Sequence, residues 1–360
     1  MTMTEQPAPE LDSAKLDEFI ERFLTDLGAA AHAATVLVGD ALGLYRAMAD
    51  GQPVTPATLA ERTGTDQRCV EEWLRAQAAS RYVEYDPATE RFRLPPEQAF
   101  ALTNEHNPVF APGGLQLAAS MIKDVEKVVT AYRAGNGLPW HDHHPDLFVG
   151  VERFFRPNYI GNLCDNWLPA LDGVVDKLAA GAHVADVGCG HGASTILMAQ
   201  RYPASHFVGF DNHAPSVTAA TAAAARAGVA DRCRFEVAAA SDFPGPEFDL
   251  VAYFDCLHDM GDPVGALRHA RRRLKPDGTV LLVEPAAADR LEDNLNPIGR
   301  VFYSGSSMIC TPNSLSQEVG LALGAQAGPE RLRQIATQAG FSRFELAAET
   351  PFNLVIAARP

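Results

Sequence analysis

At 360 residues, with 47% hydrophobic and 21% charged side chains, the chain has the composition of a globular protein of two domains, or of one large α/β domain with an appendage, and not of a disordered chain or coiled coil. Lys and Arg number 30 against 45 Asp and Glu, and the formal charge of −15 opposes casual binding to nucleic acid, which needs a basic face. No apolar stretch is long enough to span a bilayer and "MTMTEQPAPELDSAK" has no basic-then-apolar signal pattern, so the expectation is a soluble, cytoplasmic protein without membrane contact.

Residues 1–14 are polar and contain proline, and read as a disordered tail. From Leu16 to Met48 apolar residues return at three- and four-residue spacing, which predicts helix. Then "TPATLAERTGTDQRCVEEWLRAQAASRYVEYDPATERFRLP" gives a short helix, a glycine turn, a second helix and a hairpin turning at Asp86-Pro87. Residues 15–105 are therefore expected to form a helical winged-helix domain whose apolar helices serve dimerisation.

Residues 106–180 read as a mostly helical linker over the active site, with breaks at "APGG" and "RAGNGLPWHDHHPD". From 181 to the end the pattern changes. Short β-rich runs ("HVADVG", "HFVGFD", "CRFEVA", "FDLVAYFD", "TVLLVEP") alternate with helical ones, the signature of βαβ units on a parallel sheet. The last two strands, "SRFELAAE" and "FNLVIAAR", are too close for a helical crossover and are expected to pair antiparallel. Between them and the fifth strand, residues 285–327 form a long insertion of the kind that builds pockets, with Phe302, Tyr303, Met308 and Cys310 as possible lining.

The six cysteines (Cys69, Cys164, Cys189, Cys233, Cys256, Cys310) stand singly, with no Cys-x-x-Cys pair, which speaks for reduced thiols and against structural zinc. "WHDHHPD" (Trp140–Asp146) clusters histidines and aspartates, but one loop rarely supplies a whole coordination shell, so no metal ligand is assigned.

The sharpest signal is "VADVGCGHGAS", where Gly188, Gly190 and Gly192 follow an apolar run at every second position. A strand leading through glycines into a helix presents unpaired backbone N–H groups to a ligand. The spacing also satisfies G-x-G-x-x-[GA] with Ala193 last, and Asp211 lies about 20 residues on, so a dinucleotide remains an open reading of these two motifs alone.

The series "ADVGCGHG … FVGFD … FDLVAYFDCLHDMGDP … LKPDGTVLLVEP", closed by an antiparallel pair, resembles class I S-adenosylmethionine-dependent methyltransferases over residues 183–360. With the winged-helix region in front, the whole is similar to the two-domain small-molecule O-methyltransferases. The resemblance implies an α/β fold: a Rossmann-like seven-stranded sheet, mostly parallel with an antiparallel last strand, behind an N-terminal helical winged-helix domain. It also implies S-adenosyl-L-methionine as cofactor, a small-molecule acceptor and a homodimer.

Residue by residue, the resemblance places Asp186 near the methionine amino group and the three glycines along the methionine and ribose. Asp211 accepts from the ribose hydroxyls, Asn212 lies along the adenine and Phe254 contributes its backbone. Tyr159, in "FFRPNYIGN", belongs to a segment that folds over the cofactor in similar enzymes. The acid that many relatives set on the adenine amino group falls here on Ala239 or Ala240, with Ser241 or Asp242 as substitutes.

For a hydroxyl acceptor the enzyme must align it and remove its proton. The resemblance makes His258 of "CLHDMGDP" the general base and Glu284 of "LLVEP" its acidic neighbour, with Gln326 where relatives carry a second acid; the alternative is that His258 only shapes the pocket. Asp259 reads as a local hydrogen-bond acceptor, and Asp262-Pro263 as the start of a helix.

Two other readings stay open: a winged-helix transcriptional regulator that senses S-adenosylmethionine, and a methyltransferase acting on nitrogen, carbon or a macromolecule. Against the regulator, Arg62, Arg68, Arg75, Arg81, Arg91 and Arg93 are offset over 52–93 by seven acids, and Glu71 and Glu72 sit in the recognition-helix position, where DNA readout wants cations.

Overall fold

The computed structural model describes residues 11–360, which divide into two units, one ending at Asn104 and one running from Glu105 to Pro360. Positions 1–10 of the expected tail lie outside the described residues. Its last positions are helical: Ser13–Ala41 is a helix because the Asp12 carboxylate accepts from the N–H groups of Ala14 and Lys15.

In the first unit the helical run over 16–48 is broken. Gly43, at φ 71°, separates the first helix from the short helix Leu44–Ala47. Helices Pro56–Thr63 and Gln67–Ala79 start at Thr55 and Asp66, whose side chains accept from Thr58 N and Cys69 N. The wing is an antiparallel pair, β1 (Glu84–Asp86) and β2 (Arg91–Arg93), and the Asp86 carboxylate closes its turn by accepting from Ala88 N and the Thr89 hydroxyl. Leu44, Tyr45, Leu59 and Leu74 fill the core. On Gln67–Ala79, Arg68 pairs with Glu72 and Arg75 with Glu71, so the cations of that helix are already neutralised.

The second unit is built on seven strands: β3 (His183–Val187), β4 (His206–Asp211), β5 (Cys233–Val237), β6 (Phe248–Phe254), β7 (Leu274–Pro285), β8 (Arg343–Glu349) and β9 (Asn353–Arg359). Their order is β5-β4-β3-β6-β7-β9-β8. Strands β3 to β7 pair parallel, while β9 runs antiparallel to both β7 and β8. Both faces are covered, and the period-two alternation shows it. Val184, Leu250, Ala252, Leu281 and Val283 pack into one apolar layer, and Ala185, Val187, Val251, Tyr253, Val280 and Leu282 into the other. The order reverses between β3 and β6, and at such a switch point the carboxyl ends of the strands leave a crevice.

Helices Pro112–Lys123, Val125–Ala134 and Asp146–Asn162 supply the helical stretch before the sheet. "APGG" is not a break: Pro112 opens a helix and the glycines lie inside it. A Cβ on Gly113 would sit 2.3 Å from the Arg153 carbonyl oxygen, and one on Gly150 would sit 2.8 Å from Leu117 N, so two backbones cross here in direct contact. The insertion is also helical, running from Pro297–Gly305 through a π turn, Ser306–Cys310, into Thr311–Leu315. No helix among the described residues is long and apolar enough to cross a membrane.

Candidate active site

The glycine loop begins where β3 ends. Gly188 N and Cys189 N both donate to the Phe210 carbonyl of β4, at 2.7 and 3.1 Å, which bends the chain across the end of the neighbouring strand. Gly188, Gly190 and Gly192 have φ of 74°, 52° and 79°, the left-handed region that other residues adopt only with strain. A Cβ on Gly188 would strike Cys256 Sγ at 2.7 Å and one on Gly192 the Phe235 ring at 2.5 Å, whereas one on Gly190 would meet nothing within 4 Å. The first and last glycines are thus required by packing, and the middle one faces open space.

Asp211, the last residue of β4, is tied to that loop. Its Oδ2 accepts from Gly190 N and its Oδ1 from His213 N, both at 2.8 Å. Burial pushes its carboxyl up despite these bonds. Asp186 lies deeper. Its Oδ2 accepts from the hydroxyls of Ser194 and Thr195, each at 2.6 Å, its Oδ1 is buried with no hydrogen-bond partner, and burial pushes it up to about 6.

The crevice holds a cavity of about 590 Å³. One end is polar, lined by Gly188, Gly190, Asp211, Asn212, Ser241 and the segment from Phe254 to Met260. The rest is apolar, walled by Trp140, Phe148, Phe154, Phe155 and Tyr159 on the helical stretch and by Phe302, Ile309 and Cys310 of the insertion. Of the residues singled out in the sequence, Asp186, Gly192, Asp242 and Glu284 do not line it. Asp186 and Gly192 support the loop from beneath, and Asp242 is exposed. Tyr303 and Met308 are also absent from the wall, because the insertion is helical and turns only one face inward; Met308 packs behind it, against the cluster of Phe302, Ile309 and Cys310 and beside Val128 and Leu138. Gln326 Nε2 donates to the carbonyls of Ala286 and Ala325, and its side chain does not line the cavity.

Glu284, at the end of β7, governs His258. Its Oε2 lies 2.5 Å from His258 Nδ1, and its Oε1 accepts from Leu257 N at 3.0 Å. His258 Nε2 lies 3.2 Å from Asp259 Oδ1. Burial alone would lower the imidazole, but the carboxylates of Asp259 and Glu284 more than reverse this and hold it well above the ordinary histidine range. Asp262 caps the following helix by accepting from Gly265 N.

Asp255 was not singled out in the sequence. It directly follows β6 with φ of 50°, is buried, and faces the cavity. The Tyr159 hydroxyl donates to its Oδ2 at 3.0 Å and Asn353 Nδ2 to its Oδ1 at 2.7 Å. Burial, with repulsion from Glu284, pushes it up to about 8. The signal available was an acid directly after the apolar run "LVAYF".

"WHDHHPD" divides its residues. His143 Nδ1 meets Asp124 Oδ2 at 3.0 Å in a buried pair, while Trp140 joins the cavity wall.

Residues 178–346 match the family model described as "Methyltransferase domain", and residues 30–104 match the "Rv2258c-like winged HTH domain". The 27-O-demethylrifamycin SV methyltransferase of Amycolatopsis mediterranei is 32% identical over 131 residues, 34% of this chain and 48% of that protein. The chain thus spans about half the length of that relative. Among solved structures, a mitomycin 7-O-methyltransferase has a TM-score of 0.68 at 20% identity, with 97% of this chain and 100% of that one covered. Human N-acetylserotonin methyltransferase, solved in complex with SAM, has a TM-score of 0.67 at 18% identity, with 98% and 99% covered. The structural likeness is one of fold, and it spans both units. The chain joins a winged helix-turn-helix domain of the Rv2258c-like family to a methyltransferase domain.

Proposed function

We propose that this protein is an S-adenosylmethionine-dependent methyltransferase that modifies a small, largely apolar molecule at a hydroxyl oxygen. The observation that carries the reading is the left-handed glycine loop bonded to the Asp211 carboxylate and opening onto an apolar cavity beside the His258–Glu284 pair. The residues fit the cofactor. Gly190 has open space where any side chain would intrude, and Asp211 keeps acceptor capacity toward the cavity for a ribose diol. Asn212 and Ser241 stand at the adenine end. Asp255, which lines the cavity where Asp186 does not, takes the cationic methionine end, with Tyr159 and Phe254 beside it.

When bound, S-adenosylmethionine supplies a methyl group already activated on a sulfonium. The chain's own task is to align the acceptor and handle its proton. The aromatic wall excludes water and orients an apolar body, and His258 Nε2, in the neutral form of the imidazole, receives the hydroxyl proton as general base. Glu284, on Nδ1, fixes the tautomer and the ring orientation and stabilises the imidazolium that forms.

A cytoplasmic homodimer completes the reading. All six cysteines are free, as suits a reducing compartment. Phe19, Phe23, Leu24 and Leu27 of the first helix are about half exposed, an apolar stripe that a second copy would cover.

The test is transfer of a labelled methyl group from S-adenosylmethionine to desalted metabolite, protein and nucleic-acid fractions. Label in the metabolite fraction supports the proposal and delivers the acceptor. Label in a macromolecule makes that class the substrate, and tight cofactor binding without transfer turns the reading to a regulator.

A further inference from the structure

Cys310 has no part in the chemistry above, yet it lies in the cavity wall against the residue that carries it. His258, Asp259 and Cys310 each bring a ligand atom into one group, and these atoms lie within 4.8 Å of one another. They come from two segments, the 3₁₀ turn Leu257–Asp259 and the π turn Ser306–Cys310. Single π turns inside helices occur disproportionately at functional sites, because the wider turn re-aims the side chains it carries.

The geometry points to a zinc-class divalent-cation site formed by His258 Nε2, Asp259 Oδ1 and Cys310 Sγ on the cavity wall, with a fourth position for water or a cavity ligand. Three observations carry it. Nε2 and Oδ1 are 3.2 Å apart, and two ligands at about 2.0–2.1 Å from a tetrahedral ion are about 3.3 Å apart. Asp259 Oδ1 is buried without a hydrogen bond of its own and meets the imidazole as an ion pair, so a cation seated between them takes the place of the ring proton. The outer support is also present. A metal-binding imidazole ordinarily gives its other N–H to a carboxylate, and Glu284 holds His258 Nδ1 at 2.5 Å while its second oxygen is fixed by Leu257 N.

A nitrogen, a carboxylate oxygen and a thiolate suit zinc better than magnesium or calcium, which prefer oxygen alone. On binding, the Cys310 thiol and the His258 imidazolium each give a proton to solvent, so that sulfur coordinates as thiolate and Nε2 through its freed lone pair. The same lone pair of Nε2 cannot hold a metal and accept a proton. Resting on the proposed role of His258, occupancy therefore switches methyl transfer off, and removal of the ion restores it.

Cobalt(II) tests the site without any turnover. The full-length protein, stripped with a chelator and titrated with Co²⁺, should bind one equivalent with a thiolate-to-cobalt charge-transfer band and the intense visible bands of a tetrahedral ion, both displaced by Zn²⁺. Cys310→Ser should lose the charge-transfer band, and Asp259→Asn should weaken binding at least about tenfold, while unchanged circular dichroism and S-adenosylmethionine affinity show both variants folded. No band in the parent protein overturns the site. So does a band that survives Cys310→Ser, which would place cobalt on another thiol such as the exposed Cys69. Zinc that binds as described yet leaves labelled-methyl transfer undiminished would leave the site standing and remove the switch, and with it His258 as general base.

Discussion

Glu284 grips His258 from two sides: one carboxylate oxygen meets the ring at Nδ1, and the other takes the backbone N–H of the residue before it. A strand end thus fixes both the ring and the turn that carries it. His258→Ala should lower turnover about 10²–10⁴-fold with cofactor affinity unchanged, as for a lost general base. Glu284→Gln keeps the shape and removes the charge, and should lower turnover about ten- to a hundred-fold, the equivalent of one charged hydrogen bond. Single-turnover transfer measures both, and a loss below tenfold in His258→Ala leaves it as pocket lining.

Cofactor affinity should respond differently at neighbouring positions. Asp211→Ala should weaken S-adenosylmethionine binding by about 1.5–3 kcal/mol, read by calorimetry. Gly188→Ala puts a Cβ 2.7 Å from Cys256 Sγ at a left-handed φ, and should lower both the melting temperature and the affinity. Gly190→Ala meets no protein atom within 4 Å, so beyond about 1–2 kcal/mol of backbone strain its effect falls on the ligand. Equal affinity losses at 188 and 190 with equal melting shifts would deny the middle glycine its special position.

The raised carboxylates set a pH dependence. Asp186 at about 6 and Asp255 at about 8 keep their protons in the folded chain at pH values where the unfolded chain, near 4, has lost them. The folded state thus binds more protons. Its stability falls as pH rises from about 4 through 8, and the free protein's melting temperature should decline across that window. A cationic ligand favours the ionised carboxylates, so S-adenosylmethionine should bind more tightly with rising pH, up to about tenfold per unit below the upper value, and release protons on binding. Calorimetry in buffers of different ionisation enthalpy reads that release, and Asp255→Asn should abolish its upper part. Affinity flat from pH 6 to 8 would exclude a cofactor-facing role for Asp255.

The exposed stripe on Ser13–Ala41 predicts that Phe19→Glu with Phe23→Glu converts a dimer to a monomer by light scattering, with S-adenosylmethionine affinity retained. A monomeric parent protein would refute the dimer directly.

The sheet was legible because its inner strands are buried on both faces and bounded by turn residues, so "FDLVAYF" and "TVLLVEP" announce themselves without tertiary information. The glycine loop was legible because three glycines at alternate positions cost backbone entropy, and a left-handed turn or a close approach to the backbone is what offsets that cost. Contacts between distant segments were not. Nothing near Gly113 says that Arg153 will lie against it, and a proline with two glycines reads locally as a break. Asp255 carries no local mark because its partners, Tyr159 and Asn353, are about a hundred residues away on either side. Cys310 was noted with Tyr303 and Met308, but the π turn that separates inward from outward side chains leaves no periodic mark.

The glycine seam between Pro112–Lys123 and Asp146–Asn162 bears on how such an enzyme changes its diet. With backbone against backbone at Gly113 and Gly150, that pair of helices has no side-chain layer left to trim or enlarge at the crossing. Both that helix pair and the insertion, residues 297–310, meet the cavity through side chains, Phe148, Phe155, Phe302 and Ile309 among them. Divergence toward bulkier or slimmer acceptors would therefore be written into those side chains, while the backbone spacing of the paired helices stays a fixed template from one descendant to the next.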